Sequence, residues 1–257
     1  HHRLSIEWAR IEPKEGERDA RAIEHYLAVL GAARAAGISP WVCLHHFTLP
    51  RWVTEQGDGG FLDERNRSYF WSRHVAFCAE TFGDLVFGWK PINEPNHYAG
   101  IYAQAGRQPA DRDWEKVFAL YGATLLAQRD AWRELRGTGK PVVTIHGLGP
   151  VRPVDDSEAA GTWAATLEEL AWQVWLRAER DGVLALPDEP IRDVPDLQEV
   201  GDLIGFSYYS TTGVDRGGRF TPYPVDGRVG PLGYVPSCEA LGIVLRRLHA
   251  NCRVARC

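Results

Sequence analysis

The chain of 257 residues is 44% hydrophobic and carries a formal net charge of −5 at pH 7, which provides enough apolar side chains for one sizeable core. The acidic balance, with no run of Lys or Arg, argues against a nucleic-acid partner. No stretch approaches about 18 consecutive apolar residues, so no membrane partner is expected. The first ten residues lack the charged start and apolar middle of a signal peptide, which predicts a cytoplasmic protein.

Short apolar segments alternate with longer amphipathic segments along the chain. This is the pattern of a parallel sheet with helical crossovers. The apolar segments predict strands at residues 3–11, 39–47, 85–93, 141–149 and 202–210. The amphipathic segments predict helices at 20–36, 66–82, 114–135, 161–178 and 239–249. The stretch 211–236 is rich in Gly and Pro, which predicts a long surface connection within one domain.

Strand and helix units of this kind fit either an open doubly wound sheet or part of a barrel of eight such units. Neither GxGxxG nor GxxxxGK[ST] follows any predicted strand, so the usual nucleotide signals of the open sheet are missing. Polar residues follow the strands instead: His45, His46, Asn93, Glu94, His146, Ser207, Tyr208 and Tyr209. Because the carboxyl ends of the strands form the active face of a parallel barrel, this placement favours the barrel.

Four motifs occur in an order and spacing that resemble one enzyme family. They are RLSIEWARIEP from residue 3, CLHHFTLPRW from residue 43, FGWKPINEPNHYAG from residue 87 and LIGFSYYS from residue 203. Together they resemble glycoside hydrolase family 1, the retaining β-glucosidase type, from residue 2 to about residue 248. The resemblance implies an α/β fold that is a partial (β/α)8 TIM barrel, about strands two to six with their helices. It also implies cleavage of β-linked glucosides, galactosides or oligosaccharides without a metal or organic cofactor.

Glu94 is the candidate catalytic residue, because it resembles the acid/base of the family's NEP motif. Retaining hydrolysis needs one protonated carboxyl group and a second, ionised carboxylate about 5 Å away. At a strand end among aromatic side chains Glu94 would lose solvation, which predicts a raised pKa. A lone Glu after Asn is otherwise an ordinary surface residue, but the preceding strand and the three companion motifs favour the catalytic interpretation.

Further residues are candidates for substrate binding, and the resemblance supplies their roles. Asn93 resembles the residue that holds the sugar 2-hydroxyl, and His46 resembles a histidine that binds sugar hydroxyls. Arg3 resembles the arginine beside the nucleophile, and Tyr209 resembles the tyrosine that touches it. Trp8 completes the predicted set, and Ser207 stands where the family usually has Asn.

Plainer interpretations of several residues stay open. Arg3 could form an ordinary ion pair with Glu7, which follows it by four residues, or two pleats, on the same face of the strand. Tyr208 and Tyr209 alternate faces, so one of them could serve only packing. His45 and His46 also alternate and cannot easily chelate one metal together. The five cysteines, irregularly spaced and without a CxxC motif, predict reduced thiols rather than disulfides or a thiolate metal site.

The second carboxylate has no evident candidate in this chain. The family's nucleophile follows a seventh strand in a motif such as TENG, and we expect that strand to be missing here. Glu55, in VTEQGDGG, has a TENG-like setting but follows the wrong strand, so we predict a loop residue. We expect one incomplete catalytic domain over 1–257, with a frameshifted or otherwise foreign tail at 250–257. Its open sheet edges predict self-association, and a catalytically inactive sugar-binding or assembly protein derived from the barrel is the alternative function.

Overall fold

A curved sheet of five parallel strands organises the molecule, and the computed structural model describes it within residues 1–100, 107–187, 189–198 and 200–251. The strands, in chain order, are β1 (His2–Ser5), β2 (Pro40–His45), β3 (Gly88–Ile92), β4 (Val143–Gly147), β5 (Val151–Pro153), β6 (Val183–Leu184), β7 (Arg192–Asp193), β8 (Leu203–Ser207), β9 (Thr212–Val214) and β10 (Phe220–Pro222). The five strands of the curved sheet lie in the order β1-β2-β3-β4-β8, with parallel bridges at Trp89–Val142 and Asn93–Ile145 joining β3 to β4.

The helices, in chain order, are α1 (Trp8–Ile11), α2 (Ala20–Ala35), α3 (Arg51–Thr54), α4 (Ser72–Phe82), α5 (Pro95–Gly100), α6 (Trp114–Leu135), α7 (Glu158–Glu168), α8 (Val174–Asp181) and α9 (Cys238–Asn251). Short π-helical segments, Asn66–Trp71 and Glu169–Gln173, lead into α4 and join α7 to α8. None of the described helices is long and apolar enough to cross a membrane.

Within the described residues the sheet does not close, because β1 and β8 each have one strand neighbour in it. Parallel strands with helical crossovers and two open edges confirm the predicted partial barrel. The predicted tail at 250–257 lies outside the described residues from 252 onward, so its nature stays a prediction.

Helix capping explains why the helix boundaries agree well with the prediction. The Asp19 carboxylate accepts hydrogen bonds from the backbone N–H groups of Arg21 and Ala22, which satisfies two free donors at the start of α2. Asp113 does the same for Lys116 at the start of α6. The helix predicted at 161–178 begins earlier, after Ser157, and runs through the π-helical segment to Asp181.

Two predicted segments differ from the structure. The strand predicted at 3–11 stops at Ser5, and Trp8–Ile11 forms a helical turn that buries Trp8 and Ile11. A short apolar run is compatible with the two-residue repeat of a strand and with the 3.6-residue repeat of a helix. Burial in the tertiary structure therefore decides which of the two forms. The predicted surface connection at 211–236 contains β9 and β10, which form a small sheet with β5. This small sheet covers the region beyond the carboxyl ends of β4 and β8.

Candidate active site

Glu94 lies at the turn between β3 and α5, at the carboxyl end of the sheet. Its backbone N–H donates to the carbonyl of Ile145 on β4 at 2.9 Å, which fixes the residue over the neighbouring strand. Its φ is +42°, in the left-handed region that a non-Gly residue rarely adopts. Pro95 then starts α5 with φ already suited to a helix. Such backbone strain costs about 1–3 kcal/mol and is concentrated at functional sites.

The Glu94 carboxylate is 2% exposed and both its oxygens have partners. The Tyr209 hydroxyl donates to Oε1 at 2.9 Å, and His97 Nδ1 lies 2.9 Å from Oε2. Burial by itself raises the pKa of Glu94, but hydrogen bonds from His97, Ser207 and Tyr209 outweigh it and lower the pKa to about 2. The predicted rise in pKa was therefore wrong, because desolvation was the only influence considered and the three donors could not be located in the sequence.

His97 was missed by the sequence reasoning. It follows Glu94 by three residues on α5, which is the spacing that brings two side chains onto one helix face. Its ring passes close to Gly147 at the end of β4, where an added Cβ would lie 2.2 Å from His97 Cε1. The Asn96 amide bonds both the N–H and the carbonyl of Gly147, at 3.0 and 2.8 Å, which holds β4 against α5. A glycine at this position is therefore needed for the imidazole to reach the carboxylate.

Asn93, the neighbour of Glu94, gathers two cations. Its Oδ1 accepts hydrogen bonds from Arg3 Nη1 at 2.9 Å and from Lys90 Nζ. Lys90 is completely buried, and burial lowers its pKa to about 8, with Arg3 acting in the same direction. Sequence reasoning also missed Lys90, although a lysine in the middle of a fully buried strand was a usable signal.

The two adjacent histidines have different surroundings, since His45 ends β2 and His46 follows it. His46 Nδ1 lies 2.8 Å from the Ser5 hydroxyl, and burial together with Lys90 and Arg3 lowers its pKa. His45 packs against Phe61 and other aromatic rings in the core, and burial lowers its pKa to about 3. His46 is therefore a neutral side chain beside the cations.

Several residues lie away from Glu94. The ring of Trp8 is 1% exposed and stacks on His74 at 4.7 Å in the core, so the structure does not bring this predicted substrate contact to the site. The Glu7 carboxylate accepts a hydrogen bond from the Thr48 hydroxyl at 2.8 Å, so Glu7 has a different partner from the predicted Arg3. Glu55 ends α3 and pairs with Arg51 at the surface, as predicted for a loop residue.

Tyr208 and His146 face away from the Glu94 carboxylate into packed regions. The Tyr208 hydroxyl donates to the carbonyl of Ser237 at 2.6 Å, so Tyr208 serves packing. His146 Nε2 lies 2.8 Å from the buried Glu179 carboxylate, a partner that sequence reasoning did not identify. Among the described residues no group of three or more His, Cys, Asp or Glu side chains could hold a metal ion.

A cavity of about 720 Å³ opens beside Glu94 on the β4 and β8 side of the site. Tyr209 stands at its wall between two rings, with centroids 6.4 Å from His97 and 5.4 Å from Tyr234. Among the described residues the cavity lining contains one carboxylate, Glu94, and it also includes Arg112. Its volume and aromatic walls suit a small organic molecule.

A parallel sheet with a buried carboxylate beside a cavity, at the carboxyl end of the strands, is typical of (β/α)8-barrel enzymes. Within that class the chain belongs to glycosyl hydrolase family 1, because the model of that family matches residues 1–219. It is 26% identical over 232 residues to a 6-phospho-β-galactosidase of Staphylococcus haemolyticus, with 80% of this chain and 49% of the relative covered.

Solved structures share the fold. A β-glucosidase from Exiguobacterium marinum superposes with a TM-score of 0.80 at 22% identity, covering 96% of this chain and 61% of that one. A β-glucosidase from Thermotoga maritima in complex with deoxynojirimycin gives a TM-score of 0.79 at 23% identity, with 96% and 59% covered. The chain thus spans about half the length of the curated relatives and about 60% of the structural neighbours.

Proposed function

We propose that this chain carries the acid/base half of a retaining β-glycosidase site that hydrolyses β-linked glucosides or galactosides. The observation that carries the proposal is the placement of the Glu94 carboxylate, which is buried at a barrel strand end and lines an aromatic cavity. Family membership and the likeness to β-glucosidase structures support it.

In this proposal Glu94 protonates the glycosidic oxygen as it leaves and then removes a proton from the attacking water. Asn93 binds the 2-hydroxyl of the sugar, and Arg3 and His46 contact the sugar or the nucleophile. Tyr209 and His97 orient the Glu94 carboxylate through their hydrogen bonds. The proposal also requires a nucleophilic carboxylate, and no second carboxylate lines the cavity among the described residues.

The low pKa of Glu94 has a consequence for this role. With a pKa of about 2, Glu94 is ionised at neutral pH and accepts hydrogen bonds instead of donating a proton. A second carboxylate about 5 Å away would raise this pKa, because two like charges disfavour ionisation. The nucleophile would therefore supply both the covalent step and the protonated state of Glu94.

A second candidate function follows from the same observation. An ionised Glu94 held by three donors can accept hydrogen bonds from sugar hydroxyls without transferring a proton. That arrangement suits a sugar-binding or assembly protein derived from the barrel.

Hydrolysis of 4-nitrophenyl β-glycosides separates the two functions. We expect nitrophenol release from the glucoside or the galactoside in a protein that combines this chain with the nucleophilic carboxylate, and there Glu94→Gln should reduce the rate by about 10²–10⁴-fold. Glu55→Gln is the matched control, because Glu55 lies at the surface in an ion pair with Arg51. Glucose binding in calorimetry without turnover would support the second function, and turnover unchanged in Glu94→Gln would overturn the first.

We also propose that the chain, as given, self-associates through the open edges of β1 and β8. Unpaired strand edges expose backbone donors and acceptors that a second copy can pair. Light scattering tests this proposal, and a stable monomer at high concentration would contradict it.

A cytoplasmic location is a further proposal, supported by the free thiols of the described cysteines Cys43, Cys78 and Cys238. Cell fractionation tests this location.

A further inference from the structure

Arg112 lines the cavity beside Glu94 and is only 8% exposed. Its guanidinium carbon lies 5.1 Å from the centroid of the Phe220 ring, and Nη2 makes one long contact of 3.5 Å to the carbonyl of Arg107. Its Nε has no hydrogen-bond partner. Among the described residues no carboxylate lies within 4 Å of this guanidinium, and residues 101–106, which precede its loop, include no Asp or Glu.

A buried cation without an anionic partner is costly, because the lost hydration is not replaced. Burial accordingly lowers the pKa of Arg112, and the nearby Tyr121 opposes this only in part. Arginine stays charged at all ordinary pH values and presents a planar fork that fits a carboxylate. An anion that enters the cavity would regain the missing interaction.

The residues that line the cavity around Arg112 indicate which kind of anion would bind there. Trp114, Phe220 and Tyr234 provide aromatic walls, and Arg107 adds a second positive charge to the lining. Glu94 supplies the only negative charge among the described lining residues, and its hydrogen bonds go to His97 and Tyr209. The described lining therefore offers a carboxylate, aromatic rings and arginine cations to a molecule that fills the cavity.

We propose that this cavity binds the leaving-group portion of an acidic aryl glycoside, with the aromatic ring against Trp114 and Phe220 and a carboxylate on Arg112. The inference rests on the proposed function, since it places the glycosidic oxygen at Glu94. It adds a substrate class, the aryl β-glycosides that carry a carboxylate remote from the sugar. Arg112 acts as a specificity-determining residue and takes no part in bond cleavage.

The test compares two isosteric probes by calorimetry, 4-carboxyphenyl β-D-glucoside and 4-carbamoylphenyl β-D-glucoside. We expect the charged probe to bind about tenfold more tightly to the protein, which is the size of one charge-assisted hydrogen bond. The preference should weaken as ionic strength rises, though less than for a surface pair. Equal affinity for the two probes would overturn the proposal.

Variants locate the preference. Arg112→Met should abolish the preference for the charged probe, and Arg112→Lys should keep part of that preference. Arg107→Gln should reduce the preference less than Arg112→Met does. Arg34→Gln on α2 is the matched control, since it removes the same charge at an exposed position outside the cavity lining. A preference that survives in folded Arg112→Met contradicts the proposal. If Arg112→Met does not fold, an undiminished preference in both Arg112→Lys and Arg107→Gln contradicts it equally.

Binding and turnover are scored separately. If neither probe is hydrolysed by a protein that combines this chain with the nucleophilic carboxylate, the result counts against the proposed function. A lost charge preference counts against the acidic-aglycone site alone. As a check on position, 4-hydroxybenzoate should compete with the charged probe, and 4-hydroxybenzamide should compete less.

Discussion

Two adjacent residues divide the site into halves of opposite character. Asn93 faces the cationic half, formed by Arg3, Lys90 and Asn93, in which two positive side chains share one amide oxygen. Glu94 faces the carboxylate half, formed by Glu94, His97 and Tyr209, in which one carboxylate has a donor on each oxygen. The carboxylate half is satisfied within this chain, whereas the cationic half has more positive charge than its single acceptor can offset.

This difference indicates where a further group would bind. A carboxylate near Arg3 and Lys90 would neutralise the cationic half and would also raise the pKa of Glu94 by like-charge repulsion. The following predictions alter one half at a time.

The largest effect is expected from Asn93→Ala. The change removes the acceptor shared by Arg3 and Lys90, which leaves the fully buried Lys90 and the exposed Arg3 without it. We expect the free energy of unfolding to fall by about 3 kcal/mol, measured by urea denaturation. Asn251→Ala, at the end of α9, should cost less than about 1 kcal/mol. A loss at Asn93 no larger than the loss at Asn251 would show that the cations do not depend on this amide.

The next effect is a pH dependence that originates in the carboxylate half. Because the folded pKa of Glu94 is about 2, below its ordinary value of 4.5, ionised Glu94 stabilises the fold fully above about pH 4.5 and loses this contribution as the pH falls toward 2. The contribution is about 2 kcal/mol. His97→Ala should raise the pKa of Glu94 and flatten this part of the stability profile.

Tyr209→Phe provides the comparison for that experiment, since it removes the hydrogen bond to the other oxygen and no charge. Its effect on the pKa should have the same sign and a smaller size. A carbon-detected NMR titration of the Glu94 carboxyl measures both variants. If the pKa of Glu94 is unchanged in His97→Ala, the contact between His97 and the Glu94 carboxylate does not stabilise the ionised form.

A smaller effect of opposite sign is expected from the cationic half. The pKa of Lys90 is lowered from 10.5 to about 8, so the folded state releases this proton before the unfolded state does. Stability should therefore rise by about 1–2 kcal/mol between about pH 8 and pH 10.5 through this group. Urea denaturation of Lys90→Met should lack this rise, and an identical profile in both proteins would contradict the prediction.

The smallest effect is expected from a surface carboxylate, Glu55. It tests whether the effects predicted for the two halves are specific to the site. Glu55→Gln should leave turnover, sugar binding and stability unchanged, because the Glu55 carboxylate pairs, among the described residues, with the exposed Arg51 at the surface. Measuring nitrophenyl glycoside hydrolysis alongside Glu94→Gln provides the check. Reduced turnover in Glu55→Gln would assign this residue a role in the chemistry.

Particular residues show how far prediction could reach. The α2 and α6 boundaries followed from apolar periodicity and from Asp19 and Asp113 as caps. The partial barrel and the buried strand-end position of Glu94 followed from the order of strands and from the NEP motif. Trp8 was misplaced because a tryptophan in a conspicuous motif packs equally well into a core as onto a sugar.

The sequence by itself determined the alternation of strands and helices, the family and the candidate carboxylate, because these depend on local periodicity, caps and motifs. Only the tertiary structure decided the electrostatics of the site. His97, Ser207 and Tyr209 approach Glu94 from α5, from β8 and from the chain after β8, and Arg3 and Lys90 meet at Asn93 from two strands. The pKa of Glu94 and the lack of a described anionic partner for Arg112 both depend on residues that are far apart in the sequence. These residues come together only when the chain has folded and the strands lie side by side.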